Sequence, residues 1–126
     1  MTLLEALVVV AITALLSALA FPMFHAQSDA AHLKSGSHAL VADLRRARAA
    51  AIHLDRPVTL TPVPDGWSWD GGADHLDARL RLTAQQPVTF YPDGSATAAD
   101  LTLGAAGNAA HVAVDPTTGH VSLARR

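Results

Sequence analysis

A single carboxylate, Glu5, stands at the mouth of an apolar run. From Ala6 to Phe24 the chain has no charged residue, and Leu, Val, Ile, Ala and Phe dominate. A charge at the centre of a membrane helix costs roughly 2.5–3.5 kcal/mol on insertion scales. Near the end of the segment Glu5 can reach the interface, which is one reading of its position. In the other it has a cationic partner in an assembly, such as the amino terminus of a neighbouring chain. In hydrocarbon that pairing would neutralise the charge and set the stagger between adjacent helices.

The remaining reactive side chains point to no catalytic or metal chemistry. Seven histidines are scattered, and His32 and His38 do not have the i,i+4 spacing of a helical ligand pair. Asp65, Asp70, Asp74 and Asp77 make an acidic loop without EF-hand spacing, which reads as solvated rather than as a calcium site. With no cysteine there is neither a disulfide framework nor a thiolate site. No nucleophile motif, Gly-rich phosphate loop or paired-carboxylate helix is found, so neither catalysis nor a cofactor is expected. Trp67 and Trp69 share a face if their segment is a strand, and core packing or a sheet edge explains them better than a binding surface. Arg45, Arg46 and Arg48 read as the solvated side of a helix.

The elements that position these residues fall into three zones. Half of the 126 residues are hydrophobic, and the excess is concentrated in residues 1–24. This run covers most of a bilayer core at about 1.5 Å of helix per residue. No Lys or Arg precedes it, the first being Lys34, so a retained membrane helix fits better than a cleaved signal peptide. Residues 25–55 continue as an amphipathic helix. Leu33, Ser37, Leu40, Val41, Leu44, Ala47, Ala51 and Ile52 recur at spacings of three and four, while Asp43, Arg45, Arg46 and His53 lie mostly off that stripe. Gly36 is a weak point, and Asp55-Arg56-Pro57 is the expected stop. An uninterrupted helix over 1–54 would reach roughly 80 Å. A domain this small does not need such a length, so much of the helix serves something outside it.

Residues 57–126 read as short strands. Val58–Thr61 alternates, Pro64-Asp65-Gly66 turns into Trp67-Ser68-Trp69, and Asp70-Gly71-Gly72 turns again. Arg79–Thr83 alternates with period two, and Val88–Tyr91 leads into the turn Pro92–Ser95. Leu101–Leu103 and His111–Val114 follow, and Pro116–Gly119 makes a hairpin to His120–Leu123. The expected architecture is α+β: a long N-terminal helix, membrane-embedded in its first half, packed on antiparallel sheet.

Thr2-Leu3-Leu4-Glu5 followed by Ala6–Ile12 resembles the amino-terminal signature of mature type IV pilins and pseudopilins, and Pro22 sits where that family has a helix-kinking proline. The resemblance implies that a prepilin peptidase cuts before Met1, which is then N-methylated. It also implies that Glu5 recruits the subunit into a filament and sets its register. The family's first mature residue is usually phenylalanine, where this chain has Met1, and its basic leader ending in glycine is not in the sequence. Asp43–Ile52, the Gly66-Trp67 and Trp69-Asp70-Gly71-Gly72 stretch, Val88-Thr89-Phe90, Pro92-Asp93-Gly94 and the strand from Gly119 to Leu123 follow the order of the GspH/FimT branch. That branch implies a small β-sandwich of two antiparallel sheets in the periplasm. It also implies an inner-membrane helix, membrane lipid, sister pilin or pseudopilin subunits, and an inner-membrane assembly platform as partners.

The branch holds both type II secretion minor pseudopilins and FimT-like minor pilins of type IV pili, some of which bind DNA through arginines close after their last glycine. Here Gly119 is followed by His120-Val121-Ser122, and Arg125 and Arg126 are the candidate DNA contacts. With Glu5 set aside, ten carboxylates face nine Lys and Arg. That balance gives no general excess of positive charge for phosphate binding. The expectation is therefore the pseudopilin, with the DNA-binding minor pilin as its rival.

Overall fold

The computed structural model describes residues 1–125. Helix α1 spans Leu3–Leu54, 52 residues, and runs through Pro22. Thr2 caps its start: the hydroxyl accepts the Glu5 N–H at 3.3 Å, satisfying one of the first-turn donors that have no helical partner. Its end is as the sequence indicates. Asp55 takes a left-handed conformation (φ 51°) and donates its N–H to the Ala51 carbonyl, and Arg56 N–H reaches the same oxygen at 3.3 Å. Aspartate tolerates this conformation better than most residues.

Eight strands follow: β1 (Val58–Val63), β2 (Gly66–Trp69), β3 (Gly72–His75), β4 (Arg81–Ala84), β5 (Val88–Phe90), β6 (Ala99–Ala105), β7 (Asn108–Val114) and β8 (Val121–Arg125). They form two four-stranded antiparallel sheets, ordered β3-β2-β1-β5 and β4-β6-β7-β8. The α+β expectation of a long helix on two antiparallel sheets holds. The expected strands all form, with shifted ends: β4 begins at Arg81 rather than Arg79, and Tyr91 falls outside β5. One strand was not foreseen. The stretch expected to turn after Trp69 and enter an acidic loop contains β3, held by pairing Trp67 with Asp74 and Trp69 with Gly72 across β2.

Both sheets pack on one face of α1. Leu40, Leu44, Ala47 and Ala51 lie fully buried against Val58, Leu60, Val88 and Phe90 of one sheet and Leu101 and Val112 of the other. Strand β6 shows why: Leu101, Leu103 and Ala105 point inward while Asp100, Thr102 and Gly104 face out. Gly36 proves useful in this packing, because a Cβ there would meet Leu80 at 2.6 Å and Leu103 at 3.1 Å. The expected stripe is buried from Leu33 to Ala51, but Ile52 is 46% exposed. It follows buried Ala51 by one position, about 100° round the helix, and so turns off the covered face.

Among the described residues no core residue precedes Leu33, so residues 25–126 carry the described core. In that fragment Leu44→Ala should cost about 2–5 kcal/mol of unfolding free energy through the cavity it leaves. Ile52→Ala should stay within about 0.5 kcal/mol. Denaturant unfolding of the two variants checks the pair.

Candidate functional site

The amino-terminal half of α1 is where the sequence placed function. Its hydroxyls are satisfied within the helix: Thr13 Oγ1 donates to the Val9 carbonyl and Ser17 Oγ to the Thr13 carbonyl, each at 2.8 Å. An apolar surround therefore meets no free hydroxyl donor at these positions. Pro22 has no N–H, so the Ala18 carbonyl lacks its usual helical donor. Phe21 and His25 rings lie 5.5 Å apart between centroids.

Residues 1–25 are all exposed. Leu3, Leu15, Leu19, Phe21, Met23 and Phe24 each leave about two-thirds or more of their surface uncovered. A soluble monomer rarely shows a contiguous apolar surface above a few hundred Å², and this rod carries far more. Among the described residues, α1 is the one helix long and apolar enough to cross a membrane. Glu5 lies in its first turn, where the exposed amides and the positive end of the helix dipole favour a carboxylate. Among the described residues no cation lies within ion-pairing distance of it. Met1 precedes the Thr2 cap and is fully exposed.

Below this rod, three contacts fasten α1 to the sandwich, and each corrects an expectation. Asp43 is not on the polar side. It is 8% exposed, and its carboxylate accepts the Trp67 indole N–H at 2.9 Å and Arg46 Nη1 at 3.0 Å. Trp67 is buried in the core, so its N–H needs a partner, and Asp43 supplies it. Trp69 is half-buried and its ring covers Gly71, where a Cβ would clash with it. Arg48 is not simply solvated: its Nε donates to the Gly94 carbonyl at 3.1 Å. Gly119 (φ +66°) sits against that carbonyl and the Arg48 side chain, leaving no room for a Cβ. The third contact ties the β3–β4 loop to the helix. His32 Nδ1 lies 3.2 Å from Asp77, and Arg79 Nη1 lies 3.0 Å from Ser28 Oγ and 3.7 Å from Asp29.

The four aspartates expected to share one loop are dispersed. Asp70 pairs with Arg56 at 2.8 Å, Asp77 with His32, Asp74 lies in β3, and Asp65 offers its backbone carbonyl to Leu76 N–H. Among the described residues no group of three or more His, Cys, Asp or Glu is placed to hold a metal. Arg125 ends β8 with its backbone paired to Ala110; Arg126 lies outside the described residues.

Two turns beside Arg48 are closed by carboxylates. Asp93 accepts the Ser95 hydroxyl at 2.6 Å and the Ser95 N–H at 2.9 Å, and these bonds, the hydroxyl first, hold its carboxyl below the usual range. Asp115 accepts the N–H groups of Thr118 at 3.0 Å and Thr117 at 2.8 Å, which lower its carboxyl likewise, Thr118 foremost.

Solved structures with the same arrangement include the type IV minor pilin FimU of Pseudomonas aeruginosa. It aligns at 18% identity and TM-score 0.60 over 73% of this chain and 92% of FimU. A second crystal form of FimU aligns at 17% identity and TM-score 0.62, over 77% and 91%. The minor pseudopilin EpsH from the type 2 secretion system of Vibrio cholerae aligns at 13% and 0.62, over 75% and 97%. The fold is pilin-like. At identities of 13–18% the likeness is one of fold, and it agrees with the resemblance to the GspH/FimT branch carried by the sequence. No family model and no curated relative matches the sequence. In this pilin-like frame the apolar rod, Glu5 and Pro22 belong to the helix, while Arg48 and Asp43 fasten that helix to its sandwich.

Two outcomes follow. Asp43→Ala leaves the Trp67 N–H unpaired in the core and should cost about 1–3 kcal/mol, whereas Arg46→Ala, at an exposed guanidinium, should stay within about 0.5 kcal/mol; unfolding of residues 25–126 compares them. For Asp93 and Asp115 the folded values lie below the unfolded ones. Their contribution is therefore complete above the ordinary carboxylate range and is lost as pH falls through it towards the lowered values. Asp115→Asn should flatten the fall of the thermal midpoint between about pH 6 and about pH 3 relative to the parent.

Proposed function

We propose that the chain is a non-catalytic filament subunit, a minor pseudopilin of a type II secretion system that assists protein export across the outer membrane. The observation that carries this reading is the conjunction of a pilin-like sandwich with a helix that leaves residues 1–25 wholly uncovered, a mainly apolar stretch in which Glu5 is the single carboxylate. An apolar rod of that length needs lipid before assembly and other helices after it. The reading places residues 1–24 in the bacterial inner membrane as a single span and residues 25–126 in the periplasm. Prepilin peptidase would cut before Met1, which is then methylated, and an inner-membrane platform would load the subunit.

Glu5 supplies recruitment. Its carboxylate, without a cation beside it among the described residues, would take the amino terminus of the neighbouring subunit and thereby set the stagger of the helices. Pro22, which removes one helical hydrogen bond, would let the membrane half bend relative to the sandwich half. The preference for secretion over a type IV pilus rests on Gly119-His120-Val121-Ser122, where the arginines of DNA-binding minor pilins do not recur. In the alternative, a FimT-like minor pilin, Arg125 and Arg126 would contact DNA during uptake.

The test is the extracellular proteome of an in-frame deletion strain. Specific exoproteins should disappear and return with the wild-type gene, but not with Glu5→Ala, although that variant still reaches the membrane. Unchanged secretion with lost piliation would transfer the chain to the pilus system. Full rescue of either phenotype by Glu5→Ala would remove the assembly role of the glutamate.

A further inference from the structure

The face of α1 turned away from the sandwich has a charge pattern that the domain itself does not use. Ala31, Lys34, His38, Ala42, Arg45 and Ala49 follow at spacings of three and four, so they form one stripe opposite Leu33, Leu40, Leu44 and Ala51. All but the half-buried Ala42 are exposed. The carboxylates of this half of the helix point the other way and are occupied: Asp29 by Arg79 and Asp43 by Trp67 and Arg46. Lys34, His38 and Arg45 make no side-chain ion pair among the described residues. Acids are thus turned inward and paired, and bases outward and unpaired. Lys34 and His38, one turn apart, repel when both are charged, so the pattern gains the isolated helix nothing.

The shape of the stripe selects its partner. Lys34 and Arg45 are eleven positions apart, about 16 Å along the axis, so the cations run parallel to the helix. A membrane surface crossing the helix meets one end of such a line, whereas a rod lying alongside meets all of it. Ala42 between the cations, with Ala31 and Ala49 beyond them, keeps the floor shallow, which lets another helix approach closely. The stripe is also continuous with the uncovered amino-terminal rod of the same helix. A second copy docked through the same face would bring the same cations, and like charges facing each other disfavour that contact; the carboxylates of its helix other than Glu5 are already paired.

We propose that this face docks a carboxylate-bearing helical surface of a different pilin-like subunit lying alongside α1, making the contact heterotypic. The proposal rests on the filament reading above.

Its test uses the full chain co-expressed with its sister subunits. Lys34→Glu/Arg45→Glu should lower recovery in sheared filaments, relative to the membrane pool, by about tenfold or more. Lys34→Arg/Arg45→Lys should recover like the parent. Both variants should melt with the parent, since neither position touches the core. Because the chain has no cysteine, Ala42→Cys introduces a single thiol at the centre of the stripe, and oxidation of filaments should yield no disulfide dimer of the chain with itself. Equal filament recovery of the double glutamate variant and the parent overturns the proposal, and so does a self-dimer through Cys at position 42. Loss of low-salt retention on duplex DNA with filament recovery intact also overturns it and makes the stripe a nucleic-acid surface. Failure of the filament reading looks different: the parent chain itself is then missing from filaments.

Discussion

The structure depends on one face of α1, from Leu33 to Ala51, lying across two sheets at once. Neither four-stranded sheet covers its inner side alone, and the helix supplies Leu40, Leu44 and Ala47 as the layer that both share. Apolar burial favours this docking without regard to direction. Direction comes from polar contacts at intervals along the helix: Arg79 and His32 at the top, Asp43 with Trp67 in the middle, Arg48 with Gly94 at the bottom. Each is a directional contact between the helix and a fixed point of the sandwich, so the helix can neither slide nor rotate without losing several together.

Docking half of a helix this firmly leaves the other half as a helical extension with no partner among the described residues. Its length is fixed by the continuity of α1, capped only at Thr2 and Asp55. The same element therefore joins an environment of lipid or neighbouring helices to a folded domain outside it. The cationic stripe opposite the sandwich extends this logic: the helix presents a docked face, an apolar end and a charged face, each suited to a different surround.

Much of this was legible in the sequence because the period of apolar residues survives without tertiary help. The spacing of Leu33, Leu40, Leu44 and Ala51 gives the buried face, and Asp55-Arg56-Pro57 gives its end. Strand β3 was not legible. Gly72-Ala73-Asp74-His75 has no apolar alternation and forms because β2 offers an edge to pair with. Asp43 and Arg48 were misread for a similar reason. Their partners, Trp67 and Gly94, lie 24 and 46 positions away, and a local helical wheel contains neither. The functional weight of Glu5 comes from its place in the signature Thr2–Ile12. The structure adds its exposure and the capped turn that carries it.

Leu15 sits midway along the uncovered rod and is 69% exposed in the isolated chain. With no native cysteine, Leu15→Cys gives a single reporter whose reaction with a water-soluble thiol reagent can be timed in membranes and in purified filaments. The account predicts protection in both, first by lipid and then by neighbouring helices, with the chain found in the filament fraction. A chain that never leaves the membrane, or a thiol at position 15 that reacts freely in filaments, would contradict it.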